Sequence, residues 1–80
     1  MTDTPTETAA LPWRPEVIVA GESLEVWYSN ALRFATRAEA LGSAADLAGR
    51  WMMVTRWRAV DDSVPLRQPY RPGSEDGSWI

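Results

Sequence analysis

At 80 residues, with 45% apolar side chains and a formal charge of −3, the chain has the size of one small domain and a composition that is neither disordered nor membranous. It holds no cysteine and no histidine. That excludes disulfides, the usual thiolate and imidazole metal sites, and the familiar nucleophile–base pairs of covalent catalysis.

The first stretch, residues 1–11, is a polar lead with threonine at four of its first eight positions and a proline among them. It reads as a disordered N-terminal tail. It carries no positive charge and no apolar stretch, so it does not read as a signal peptide. No apolar run approaches the roughly 20 residues of a spanning helix, and a cytoplasmic protein is the expectation. A single α+β domain is expected over residues 12–65. Trp13-Arg14-Pro15 leads into a β-like run, Glu16–Ala20, and Gly21-Glu22-Ser23 makes a turn. Leu24 to Tyr28 alternates, with Leu24, Val26 and Tyr28 on one face and Glu25 and Trp27 on the other, the pattern of a half-buried strand. Ser29-Asn30-Ala31 reverses the chain, with Asn30 able to take the left-handed conformation at low cost. Leu32–Ala35 then returns as the second arm of a hairpin, with Leu32 and Phe34 on one face.

Thr36-Arg37-Ala38-Glu39 is a capping box that opens a helix running to about Met53. At 100° per residue, Ala38, Leu41, Ala44, Ala45, Ala48, Trp51 and Met52 form one apolar stripe. Glu39, Ser43, Asp46 and Arg50 fall opposite, the last two spaced as a surface ion pair. Gly42 and Gly49 share one edge of the stripe and suggest a close backbone approach. Val54–Val60 is the last strand: Val54, Arg56, Arg58 and Val60 on one face, Thr55, Trp57 and Ala59 on the other. From residue 66 on, prolines and glycines interrupt any regular pattern, so residues 66–80 read as an extended or disordered C-terminal tail. The fold class is α+β: a small antiparallel sheet of three to four strands with one helix packed on one face. The other face stays open unless the tail, a second copy or a partner covers it. A core this small buries only roughly 60% of the surface its unfolded chain exposes, which is the physical reason to expect a partner surface or self-association.

Three constellations carry charge. Asp61 and Asp62 are adjacent, so on a strand they point to opposite faces and do not share a site; a solvated strand end is their plain role. Arg56-Trp57-Arg58 is basic–aromatic–basic, a pattern able to stack bases and pair phosphates, and equally what alternation produces when Trp57 faces the helix. The two arginines could also neutralise Asp61 and Asp62. The carboxylates of Glu16, Glu22, Glu25, Glu39, Asp46, Asp61 and Asp62 are spread along the chain, and carboxylates on a rigid surface can imitate a phosphate backbone. The candidate partner-binding residues are therefore Glu22, Glu25, Glu39, Asp46, Asp61, Asp62, Arg56 and Arg58. The reading is a non-enzymatic protein that works by binding, with no cofactor, no metal, no membrane and no small-molecule substrate. The acidic balance argues against direct nucleic-acid binding. Whether it forms a homo-oligomer stays open.

One further pattern runs through Asn30-Ala31-Leu32-Arg33-Phe34-Ala35-Thr36, then Glu39-Ala40, Asp46-Leu47, Arg50-Trp51, Val54, Arg58 and Pro65. It resembles a family of small, mostly uncharacterised proteins encoded by phages and prophages, and covers under half of the chain. Where similar proteins continue with Pro-Val-Asn, this chain has Pro65-Leu66-Arg67. The resemblance implies a mobile-element origin and action inside a bacterial host. It points to an inhibitor of host defence, anti-CRISPR-like, that binds a bacterial defence ribonucleoprotein such as a type I CRISPR surveillance complex and blocks its nucleic-acid channel as a DNA mimic. The alternatives are an accessory nucleic-acid-binding protein using Arg33, Arg56 and Arg58, and a virion structural component.

Overall fold

The computed structural model describes residues 11–21 and 23–79; the expected N-terminal tail, apart from Leu11, and Glu22 lie outside them. The chain is an α+β fold: strands β1 (Trp13–Val19) and β2 (Tyr28–Ser29), helix α1 (Arg37–Arg50), then strands β3 (Val54–Asp61) and β4 (Gly77–Ser78). The four strands form one antiparallel sheet in the order β2-β1-β3-β4. The β-branched run Val17-Ile18-Val19 supports β1, which begins earlier than expected, at Trp13. Pro15 is tolerated there because its carbonyl points toward β2, where the Ser29 hydroxyl donates to it (2.7 Å). The missing N–H lies on that same edge, so no bond of the β1–β3 ladder is lost.

The expected hairpin between Leu24–Tyr28 and Leu32–Ala35 does not form. β2 shrinks to Tyr28–Ser29 and pairs with β1, and Phe34 makes an isolated bridge to Trp13. Asn30 accepts from the Leu32 amide (3.0 Å) and turns the chain through its side chain instead of a left-handed backbone. The only non-glycine residue of positive φ among those described is Arg67, at 62°. Tyr28 and Trp27 do lie on opposite faces, Tyr28 against the core under the helix and Trp27 on the other side. Trp27 is the buried residue, 1% exposed, whereas Leu24 is largely exposed.

Helix α1 starts where the capping box places it. The Thr36 side chain accepts from the Glu39 amide (3.2 Å) and the Glu39 carboxylate accepts from the Thr36 amide (3.3 Å). It ends sooner than expected, at Arg50. Trp51 is extended, and a tight turn closed by the Val54 amide on the Trp51 carbonyl (3.0 Å) sends the chain into β3. The buried row is Ala40, Ala44 and Ala48, flanked by half-buried Leu41 and Leu47, and Ala38, Ala45, Trp51 and Met52 face outward. The reason is steric. Trp57 and Tyr28, with Val17, Val19 and Val54, already fill the sheet face, so the helix approaches through its alanine methyl groups, with Leu47 packed beside them.

A bulge decides how β3 presents its side chains. Val17 pairs with Trp57 and Ile18 with Arg56, but Val19 pairs with Val54, leaving Thr55 as the extra residue. Val54 thereby moves to the helix face beside Trp57, against the alternation that grouped it with Arg56 and Arg58. The opposite face carries Arg14, Glu16, Ile18, Arg56 and Arg58. It is not open. Residues 25–27 and 68–70 lie across it as a short antiparallel ribbon, through a Val26–Pro69 bridge, the Trp27 amide on the Gln68 carbonyl and the Tyr70 amide on the Glu25 carbonyl (both 2.9 Å). The stretch expected as a free C-terminal tail is extended, but it covers this face and returns as β4.

β4 also protects an edge. Asp76 donates its amide to the Trp57 carbonyl and accepts the Ala59 amide on its carboxylate, and the Trp79 amide bonds the Thr55 carbonyl, so the outer side of β3 is occupied. Gly77 is required where β4 crosses the Trp57 indole, because a β-carbon there would sit inside the ring's contact distance. Gly42 and Gly49 have open space instead, so the expected close approach at them is absent. Gly77→Ala should therefore lower stability by about 1–3 kcal/mol, as overpacking does. Gly42→Ala should raise it by about 0.5–1 kcal/mol through helix propensity. Urea midpoints check both, and a loss at Gly42 would show that α1 packs differently.

Candidate partner-binding surface

The charged residues do not converge on one patch; they are sorted by the sheet. At the centre of the covered face, the buried Glu16 carboxylate accepts from Arg14 Nε (2.8 Å) through one oxygen and from Arg58 Nε (2.8 Å) through the other. Arg58 Nη2 lies 2.7 Å from that same oxygen but makes no aligned hydrogen bond, so this second contact is ionic. Arg14 spends its remaining donors on Asp62, at its carboxylate (3.0 Å) and its carbonyl (3.2 Å), and on the Pro65 carbonyl (3.2 Å). Arg33 Nε reaches the same Asp62 oxygen at 3.1 Å. The Arg58 guanidinium lies 4.3 Å from the Trp27 ring centroid, and Arg56 lies 4.3 Å from that of Tyr70, which meets Trp27 edge-on at 5.9 Å. The Trp27 indole N–H finds no acceptor among the described residues.

Against this geometry, the candidate residues separate. Arg56 pairs with Glu25 (3.2 Å) and Arg58 with Glu16, so neither neutralises Asp61 or Asp62, and both are mostly covered. Asp62 belongs to the Arg14–Arg33 cluster, whereas Asp61 accepts the Ser63 amide (2.9 Å) in the turn after β3. Glu39 is committed to the capping box, and Asp46 pairs with Arg50 (3.0 Å) on the exposed side of α1. Glu22 lies outside the described residues. Asp62 is held below its ordinary value chiefly by the hydrogen bond from Arg14, with Arg33 adding to it, and Asp61 by hydrogen bonds from Ser63, so both stay ionised through the neutral range.

Sequence reasoning missed Arg14, Trp27 and Tyr70 as members of this network. Their one local signal is that Arg14 and Glu16 alternate with Trp13, Pro15 and Val17 along β1, and Trp27 with Val26 and Tyr28, which a buried face of unknown chemistry leaves ambiguous. Outside the network, Trp51, Met52 and Met53 form an exposed apolar turn, and the Met53 carbonyl accepts from the Ala20 amide (2.7 Å). Trp79 is exposed beside Trp57, the ring centroids 5.1 Å apart. Among the described residues there is no pocket, no group of three or more side chains placed to hold a metal, and no helix long and apolar enough to cross a membrane. No family model matches the chain, and neither a curated protein nor a solved structure matches it.

Proposed function

We propose that this chain is a phage- or mobile-element-borne inhibitor of bacterial defence that acts by binding, not by catalysis, seating on a type I CRISPR surveillance complex and blocking its nucleic-acid channel. The observation that carries the reading is the direction in which the rim ion pairs face. Arg14 is 1% exposed where its partner Asp62 is 44%, and Arg56 is 17% exposed where Glu25 is 49%. At these two pairs the cation is tucked under the carboxylate, whereas at the Arg37–Asp76 pair the cation is the outer partner, so the outermost charge is negative at Asp62 and Glu25, on a chain of net charge −3. A channel built to hold nucleic acid is basic, and exposed carboxylates meet it with complementary charge. The resemblance to phage-encoded proteins supplies the class of host. The accessory nucleic-acid reading gains nothing here, because Arg33, Arg56 and Arg58 are each committed to a carboxylate or a ring.

The test is affinity capture of a reconstituted type I surveillance complex by the tagged full chain, repeated over a salt series. Glu25→Arg should weaken capture severalfold, mostly through a slower and less salt-dependent on-rate. Reversal of Arg67 and Arg71, which are exposed and in no ion pair among the described residues, should leave capture intact or improve it. Loss of capture on the arginine reversals alone would replace this reading with a basic-face one, and no capture by the parent chain would remove the target.

A further inference from the structure

The two faces of the sheet are held by different chemistry. Under α1 the contact is apolar: Ala40, Ala44 and Ala48 are the buried row of the helix, and Ala48 packs with Val17 and Val54. On the other face, no side chain from residue 62 to residue 79 is fully buried. That segment is attached by main-chain bonds at Trp27 and Tyr70 and from the Asp62 amide to the Pro12 carbonyl, by Arg14 on Asp62 and Pro65 and Arg33 on Asp62, and by ring contacts of Tyr70 with Arg56 and Trp27 and of Arg67 with Tyr28. It leaves β3 at residue 62 and rejoins the outer edge of β3 at residue 76, so both of its ends are anchored on the same strand. Regions with few buried apolar contacts and partly exposed hydrogen bonds open at lower free energy than the core they rest on.

We infer that residues 62–76 form a strap that opens as its own unit while α1 and the β1–β3 pair remain folded. The cost of opening is the loss of these hydrogen bonds, of the Asp62 ion pairs with Arg14 and Arg33, and of the Tyr70 and Arg67 ring contacts. It is offset by the backbone freedom of the released loop and by rehydration of the Arg14–Glu16–Arg58 cluster, whose charges are costly to keep from water. The open form bares the Arg14 end of that cluster and the side of Trp27 that meets Tyr70, while Trp27 still lies against Arg58. The closed form keeps both covered, so the strap sets how much cationic and aromatic surface this face presents. This inference stands on the packing alone and does not depend on which partner the chain binds.

Native-state hydrogen exchange on the full chain tests it. The Trp27 and Tyr70 amides, bonded to Gln68 and Glu25, report the strap; the Ala44 and Ala48 amides report the helix. The strap amides should exchange at least about tenfold faster than the helix amides, with little dependence on low denaturant, the signature of a local opening. Tyr70→Ala should speed exchange at Trp27 further and leave Ala44 and Ala48 within about twofold of the parent. Asp62→Asn, which weakens the Arg14 latch at an exposed position, should act in the same direction. Equal protection and equal denaturant slopes in both sets would overturn the inference. So would a Tyr70→Ala or Asp62→Asn chain that loses protection equally everywhere or fails to fold, because the strap and the core would then be one cooperative unit.

Discussion

Trp27→Ala should cost about 3–5 kcal/mol, the range for removing a large aromatic from a packed interior. An 80-residue domain holds on the order of 4–12 kcal/mol in total, at roughly 0.05–0.15 kcal/mol per residue. The variant should therefore lose at least about a quarter of the total, and at the low end of that range nearly all of it. Trp27 is 1% exposed and serves two neighbours, as the surface beneath the Arg58 guanidinium and the edge partner of Tyr70. Trp27→Phe should cost far less, because a ring remains and the indole N–H, which has no acceptor among the described residues, is removed with the substitution. Trp51→Ala makes the contrast. Trp51 is 43% exposed at the end of α1, so its loss should be a small fraction of the Trp27 effect. Denaturant curves of the three variants decide the matter: a larger loss at Trp51 than at Trp27 would place the aromatic core under the helix after all.

The second large effect is expected at Glu16. Glu16→Ala removes the one carboxylate between two covered arginines and leaves Arg14 and Arg58 facing each other with no anion between them. Breaking a buried ion pair from one side costs about 3–5 kcal/mol, most of it the penalty on the charge left behind. Replacing the whole cluster behaves differently. Arg14→Met, Glu16→Leu and Arg58→Leu together remove every buried charge, and such exchanges are often neutral or stabilising by about 1–4 kcal/mol. Here the gain should be trimmed, because Arg14 also donates to the Asp62 and Pro65 carbonyls, which the triple variant leaves without that partner. The expected order of urea midpoints is parent and triple variant close together, with Glu16→Ala well below both. A Glu16→Ala midpoint equal to the parent's would mean that the cluster is hydrated and contributes nothing.

How much of this was legible in the sequence follows from the range of each interaction. The capping box spans three residues, and Thr36 and Glu39 make both of its bonds as read. The Asp46–Arg50 pair spans one helical turn and is present at 3.0 Å. The β-branched runs around Val17 and Val54 became the two long strands, and Trp57 faces the helix as its alternation suggested. The stripe on α1 was drawn through the largest apolar residues, Trp51 and Met52. The sheet admitted a row of alanines instead, because Trp57 and Tyr28 had taken the volume. Which helix face turns inward depended on side chains of the strands, outside the helix itself.

The candidate site was the least legible part. Local spacing put Arg56 and Arg58 near Asp61 and Asp62, four or so residues off; the folded chain gave them Glu25 and Glu16, 31 and 42 positions distant. Arg14 meets Asp62 across 48 positions. No periodicity within one element encodes such a pairing, because it depends on strand order, on register and on the path of the segment that follows β3.

By itself, then, the sequence determined the elements whose stabilising contacts lie within a turn or within one strand: the start of α1, its exposed ion pair, the two long strands and the α+β class. Tertiary structure alone decided the rest. A one-residue bulge at Thr55 moved Val54 to the helix face, β2 chose β1 over a local hairpin, and the segment after Asp61 folded back over the second face of the sheet. The physical reason is shared by all three. Side chains on a strand alternate with a period of two, so a single inserted residue or a change of neighbour reverses which of them are buried. That choice is made by the free energy of the whole packed layer, where Trp27 and the Arg14–Glu16–Arg58 cluster either find their partners or do not.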